Sequence, residues 1–86
     1  MFKKNNMLYP EEVDNLVCLF DLEKQVSYDL DQVGSDIWNL ARDNFSIDDI
    51  LDTLIDRYDV DMKTLRADVE KFINYSVELG IFIKST

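Results

Sequence analysis

The sequence predicts a small α+β domain in which an N-terminal antiparallel sheet of two or three strands precedes three helices. The chain has 86 residues, the usual size of one domain. Its apolar residues follow a strand-like period as far as Asp31 and a helical period beyond it. With 47% hydrophobic and 12% aromatic residues, it can form its own core. We therefore expect a single domain over residues 1–86, with a core at about residues 14–83.

Two segments of the first third have strand patterns. Residues 16–20 are a compact apolar run that includes Cys18, as expected of a strand covered on both faces. After a polar reversal, residues 25–30 alternate polar and apolar side chains, which is typical of a half-buried strand. Together they predict a β-hairpin. Residues 7–9 are a candidate for an additional first strand, closed by Pro10.

From Gln32 onward the apolar residues recur at helical spacing. The first helix is capped by Asp31, and its apolar residues are Val33, Ile37, Trp38, Leu40 and Ala41. The second begins at Ser46, a favoured N-cap, and its apolar pattern continues to Tyr58. The third is capped by Asp61 or Thr64 and ends before Gly80, and an apolar tail at residues 81–83 packs back. This order resembles a winged helix-turn-helix with its wing placed first.

Charge and composition disfavour several classes of protein. The chain has 18 acidic and 9 basic residues and a formal net charge of −9, whereas nucleic acids and anionic membrane surfaces attract cationic proteins. We find no signal peptide or membrane span in the sequence and expect a cytoplasmic protein. The chain has no histidine, one cysteine and no glycine-rich phosphate loop. We therefore expect no enzyme, no catalytic residues, no cofactor and no metal site, with Cys18 acting as a small core residue.

Two surfaces remain as candidates for binding a partner. Asp48, Asp52 and Asp56 recur along the outward side of the second predicted helix. They form either a solvated face or a docking surface for a basic patch on another protein. The second strand of the hairpin, residues 25–30, contains no Pro or Lys to block strand pairing. It is either an open sheet edge or an edge covered by a terminal segment.

In order and spacing, the motifs of residues 14–83 resemble the PqqD-like family, also called RiPP recognition elements. The matching motifs are Leu19-Phe20-Asp21, Tyr28-Asp29-Leu30-Asp31, Gly34-Ser35-Asp36-Ile37-Trp38, Asp68-Val69-Glu70-Lys71-Phe72 and Leu79-Gly80-Ile81. The sequence departs from the family at Glu23-Lys24 and Asp43-Asn44, where the family usually has glycine. It is more similar to stand-alone members of lasso-peptide type than to the protein of pyrroloquinoline quinone synthesis.

The resemblance implies a peptide chaperone that binds the leader segment of a ribosomally synthesised precursor. Such a protein presents the leader to a separate maturation enzyme or leader protease. In the family, the leader adds as an antiparallel strand to the last strand of the N-terminal sheet and enters a groove beside the third helix. Carried over to this chain, the edge is Val26, Ser27, Tyr28, Asp29 and Leu30. The groove wall is Val69, Phe72, Ile73 and Ser76, with Arg66 and Lys71 at its rim.

Alternatives and one geometric question remain open. A winged-helix transcription regulator would need a basic third helix, but Lys63, Arg66 and Lys71 are interleaved with Asp68 and Glu70. An acidic protein–protein adaptor without a peptide ligand is the other alternative. The alternation in residues 25–30 also leaves open whether the even or the odd residues direct their N–H groups to the leader.

Overall fold

The structure is a computed structural model that describes residues 1–85. The elements follow the order β1 (Phe2–Lys4), β2 (Leu8–Val13), β3 (Leu16–Asp21), β4 (Val26–Asp29), α1 (Gln32–Leu40), α2 (Ile47–Leu54), α3 (Met62–Leu79) and β5 (Phe82–Lys84). An N-terminal antiparallel sheet followed by three helices confirms the predicted α+β class. No helix in the described part of the chain has the length and apolar character needed to cross a membrane.

The main sheet is antiparallel and has the strand order β2-β3-β4. Asp14 and Asn15 form the two-residue turn between β2 and β3 with positive φ angles of 53° and 68°, as a type I′ hairpin turn requires. The additional first strand predicted at residues 7–9 is therefore present as β2, but it does not end at Pro10 as predicted. β2 continues to Val13 because it is an edge strand, and an edge position does not need the N–H that proline lacks.

β3 is covered on one face and not on two, which corrects the prediction for residues 16–20. Val17 and Leu19 are buried towards the helices, whereas Leu16 is 40% exposed and Cys18 is partly exposed on the other face. Cys18 is therefore not a core residue. The neighbouring Asp29 carboxylate raises the pKa of the Cys18 thiol to about 11, mainly through a side-chain hydrogen bond, so the thiol stays protonated near neutral pH.

The helix caps follow the sequence, but α2 is shorter than predicted. Asp31 and Asp61 accept hydrogen bonds from the N–H groups of Gly34 (2.8 Å) and Thr64 (2.7 Å), so Asp61 caps α3. Ser46 forms a reciprocal capping box with Asp49, and Gly80 ends α3 with φ 81°. α2 ends at Leu54, and the following turn brings Tyr58 to α1.

The C-terminal apolar tail is a strand. β5 pairs antiparallel with β1, with Phe2 opposite Lys84, and this second sheet was not predicted. Phe82 is buried; its ring centroid lies 5.8 Å from that of Trp38 and 5.1 Å from that of Phe45. The N-terminal strand thus joins the core through long-range pairing.

Candidate functional site

β4 is an open sheet edge. In residues 1–85, β4 pairs only with β3, and neither terminal segment pairs with its other side. The opposite edge of the sheet, β2, contains Pro10 followed by two glutamates, features that oppose strand addition. β4 is therefore the edge that is free to accept another strand.

The hydrogen-bonding parity of β4 follows from one contact. The Leu30 N–H donates to the carbonyl of Val17 at 2.9 Å, and Tyr28 lies opposite Leu19 in the same register. Hydrogen-bonded pairs alternate along an antiparallel ladder, so Leu30 and Tyr28 direct their main-chain groups to β3. Ser27 and Asp29 therefore direct theirs outward, and each offers one N–H and one C=O to an added strand.

A groove runs between β4 and α3. Its larger part, about 400 Å³, is lined by Ser27, Tyr28, Asp29, Leu30, Asp31, Phe72, Tyr75, Ser76, Leu79 and Ile81. A smaller part, about 320 Å³, is lined by Asp31, Val33, Asp68, Lys71, Phe72 and Tyr75. Asp31, Phe72 and Tyr75 belong to both parts, so the groove continues past the start of α1. The groove combines an apolar floor with the free main-chain groups of β4.

Phe72 lies at the junction of the two parts because Gly34 leaves room for its ring. A Cβ atom at Gly34 would lie 2.7 Å from Phe72 Cε1, closer than carbon atoms can approach without displacement. Phe72 is half-buried, and its ring centroid lies 6.3 Å from that of Phe82 in an edge-on arrangement. The ring is therefore held between the core and the groove.

Three of the residues predicted for the groove have other positions. Val69 and Ile73 have 0% exposure and are absent from the residues that line either part of the groove, so they support it from below. Arg66 is nine residues before Tyr75, which is roughly 180° around a helix of 3.6 residues per turn, so it lies on the opposite face of α3. The sequence could not place these three residues because helical spacing alone does not show which neighbour each face of α3 contacts.

Arg66 belongs to an ion-pair cluster on the α2 side of α3. Its guanidinium donates a hydrogen bond to Asp48 at 2.7 Å and lies 3.7 Å from the carboxylate of Glu70. Asp48, through a hydrogen bond and its negative charge, raises the pKa of Arg66. Because two carboxylates surround this cation, it is poorly available to nucleic acid phosphates. Among the described residues, Lys71 is the only cation that lines the groove beside β4.

Tyr75 and Leu79 are groove residues that the sequence did not reveal. Tyr75 is 59% exposed, and Leu79 is half-buried. Together with Asp68 and Phe72 they follow the i, i+3, i+4 spacing of one helix face. This spacing forms a second stripe on α3 beside the buried stripe of Val69 and Ile73. It was the signal in the sequence that could have identified these groove residues, but a wide apolar helix face is also typical of core packing.

The acidic side chains of the α2 region are exposed and only partly helical. Asp48 and Asp52 lie on α2, while Asp56 lies beyond its end at Leu54. In residues 1–85, no group of three or more His, Cys, Asp or Glu side chains is arranged to hold a metal ion.

The Tyr58 hydroxyl donates a hydrogen bond to Asp36, and burial together with this bond raises the pKa of Tyr58 to about 12. This contact joins α1 to the turn after α2.

The fold and the site define a class: a small α+β domain in which an open sheet edge lies beside an apolar groove. The family model for coenzyme PQQ synthesis protein D (PqqD) matches residues 17–81. The chain belongs to this family, which confirms the resemblance found in the sequence motifs.

Two solved structures are similar over nearly the whole chain. One is TbiB1 in complex with the TbiA(beta) leader peptide, with a TM-score of 0.87, 25% identity and 98% of each chain covered. The other is a lasso peptide synthetase B1 complexed with the leader peptide, with a TM-score of 0.84, 18% identity, and coverage of 96% of this chain and 98% of that one. A comparison with curated proteins finds no significant match.

Proposed function

We propose that this protein binds the leader segment of a ribosomally synthesised precursor peptide and presents it to a separate maturation enzyme or leader protease. The observation that carries the proposal is the open edge of β4 beside the groove. Ser27 and Asp29 have outward main-chain groups there, and Phe72, Tyr75 and Leu79 line the adjoining surface. Strand addition uses the same combination: main-chain bonds supply affinity and side-chain pockets supply specificity.

In the proposed binding mode, β4 pairs with the leader main chain and α3 contacts the leader side chains. The leader adds antiparallel to β4, and its main chain pairs with Ser27 and Asp29. Every second leader side chain then points towards Phe72 and Tyr75. Lys71 is available at the groove for a leader carboxylate. Val69 and Ile73 contribute by fixing the position of α3.

The solved relatives support this proposal because both were determined with a leader peptide bound. The role is binding without covalent chemistry, in the cytoplasm where ribosomes make the precursor. A separate enzyme then acts on the presented peptide. Asp48, Asp52 and Asp56 are one candidate surface for that enzyme, since exposed carboxylates suit a basic partner.

Calorimetric titration with the synthetic cognate leader tests the proposal. We expect a dissociation constant in the sub-micromolar to low-micromolar range, about −8 kcal/mol, with unfavourable entropy because a disordered leader becomes ordered. Mass spectrometry before and after incubation should show an unaltered peptide. A leader of scrambled sequence is the control, and absence of binding by the cognate leader at high micromolar protein would contradict the proposal.

A further inference from the structure

We propose that the side of the main sheet facing away from the helices binds a partner protein whose contact surface is apolar with basic surroundings. We call this surface the outer sheet face, and its apolar residues are Tyr9, Val13, Leu16, Cys18 and Phe20. It lies on the other side of the sheet from the groove, with which its depression shares only Asp29 and Leu30, and a partner bound there goes beyond the leader-binding function.

The strand register brings these side chains together. Tyr9 lies opposite Phe20, and Val13 lies opposite Leu16, and residues directly opposite each other share one face of a sheet. Tyr9 is 57%, Val13 62% and Leu16 40% exposed. Val13, Leu16, Cys18 and Phe20 line a depression of about 390 Å³ on this surface.

This apolar surface is unusual for an antiparallel sheet with one solvated face. Such a sheet normally alternates apolar side chains towards the core with polar side chains towards water. In β3, Val17 and Leu19 face the core, yet Leu16, Cys18 and Phe20 on the opposite face are also apolar. No described element covers them. Leu16, Cys18 and Phe20 form a continuous apolar stripe along β3, with Glu11 and Asp29 opposite Cys18 on either side. An apolar patch with a polar border is typical of a protein–protein contact.

The charges around the depression specify the partner. Its lining includes Glu11, Asp14 and Asp29 and no basic residue. A second copy of this chain would bring carboxylates against carboxylates, and an anionic membrane would also be repelled. A surface with Lys or Arg around an apolar centre would complement both features, and steering by opposite charge would speed the encounter.

The outer sheet face and the groove can be occupied at the same time. Tyr28 faces the groove, whereas Cys18 and Phe20 lie on the other side of the sheet, and only Asp29 and Leu30 border both surfaces. A partner on the outer face therefore leaves the outward main-chain groups of Ser27 and Asp29 free. This is what presentation of a bound leader to an enzyme requires, so we assign the maturation enzyme to this face in preference to the acidic side chains of the α2 region.

The test uses the purified leader-processing enzyme encoded with the cognate precursor and measures its affinity for the full chain. The variant Val13→Lys/Leu16→Lys places cations in the apolar surface at its exposed end, beside the β2–β3 turn. The matched control is Val60→Lys/Met62→Lys, which makes the same change at side chains that are 44% and 39% exposed, just before α3 and at its first residue. We expect the first variant to lose roughly tenfold or more in enzyme affinity and to keep its leader affinity. The control should keep both.

A second variant tests the charges and does not depend on the stability of the first. Glu11→Gln/Asp14→Asn removes two rim charges, and Asn accepts the positive φ at position 14. Enzyme binding should weaken and become less sensitive to salt. Unchanged enzyme affinity in both outer-face variants overturns the inference, as does selective loss in Asp52→Asn/Asp56→Asn.

Two further results separate this inference from the leader-binding proposal. If the wild-type chain binds the enzyme through this face but does not bind the leader, the proposed function fails and the inference stands. If sedimentation shows a dimer that the Val13→Lys/Leu16→Lys variant abolishes, and the enzyme does not bind, the face joins two copies and the inference is overturned.

Discussion

Gly34 is the position at which an added side chain would most directly alter the groove. In Gly34→Ala the new Cβ would lie 2.7 Å from Phe72 Cε1, so the ring must shift. We expect roughly tenfold weaker leader binding, about 1.4 kcal/mol. Calorimetry with the synthetic leader measures this change. A poorer helix would not explain the weaker binding, because the intrinsic helix preference of alanine is about 1 kcal/mol more favourable than that of glycine.

Asn39→Ala is the matched control for Gly34→Ala. Asn39 lies on the same helix but is exposed, so its replacement should leave leader affinity unchanged. Equal leader affinities for the two alanine variants would show that the position of Phe72 does not determine binding.

Ser76 carries a buried hydroxyl that lacks a partner. Within the part of the chain that the structure describes, its Oγ forms no hydrogen bond, and the residue has 0% exposure. A buried unpaired hydroxyl destabilises a fold. We expect Ser76→Ala to raise the free energy of unfolding by about 1 kcal/mol, measured by urea denaturation.

Ser35→Ala is the control for Ser76→Ala. Ser35 also has 0% exposure, but its Oγ accepts a hydrogen bond from the Val17 N–H at 2.8 Å. The same substitution should therefore lower the free energy of unfolding by about 1–3 kcal/mol. If both variants lose stability equally, the Ser76 hydroxyl is paired in solution.

At the scale of elements, alternate residues of β4 direct their main-chain groups either to β3 or outward to the leader. Tyr28 bonds to β3, and Ser27 directs its N–H outward. Proline removes the N–H and restricts φ. We expect Ser27→Pro to reduce leader binding at least tenfold with little change in melting temperature. Tyr28→Pro should instead lower the melting temperature because it breaks the β3–β4 ladder.

Melting and affinity are measured on the same samples, and each proline variant is the control for the other. Normal leader binding by a folded Ser27→Pro variant would exclude strand addition at this edge. A Tyr28→Pro variant that melts like the wild type would show that the hydrogen-bonding parity is reversed.

At the scale of the whole molecule, stability should decline in alkali. The pKa of Cys18 is raised from 9.0 to about 11 and that of Tyr58 from 10.0 to about 12. Because both folded-state values exceed the unfolded ones, the unfolded chain releases these protons first. The stabilisation is complete below about pH 9 and is lost as pH rises to 12. The lowered pKa of Lys4 acts in the opposite direction.

Urea denaturation from pH 8 to 12 measures this decline in the free energy of unfolding, and two variants separate the contributions of Cys18 and Tyr58. Cys18→Ala should flatten the part between pH 9 and 11, and Tyr58→Phe the part between pH 10 and 12. A wild-type stability that stays constant to pH 12, or variants with the wild-type profile, would contradict these assignments.

The sequence by itself determined the class of fold, the order of most elements and the family. These features depend on local spacing: a change of hydrophobic period separates strands from helices, and Asp31, Ser46 and Gly80 mark helix ends by their own backbone chemistry. Leader binding could be inferred from the order of the motifs. Residues 25–30 alternate and lack a blocking residue, which made them a candidate edge strand, but the pattern left open whether a terminal segment covers that edge.

Only the tertiary structure decided which surfaces of these elements are free. Strand register directs the N–H of Ser27 outward, and the packing of α3 buries Val69 and Ile73 and turns Arg66 towards Asp48. The apolar run at residues 16–20 had no alternation from which its two faces could be distinguished. The physical reason is the same in each case: a side chain's spacing is a local property, whereas its exposure and bonding partner depend on contacts between distant segments.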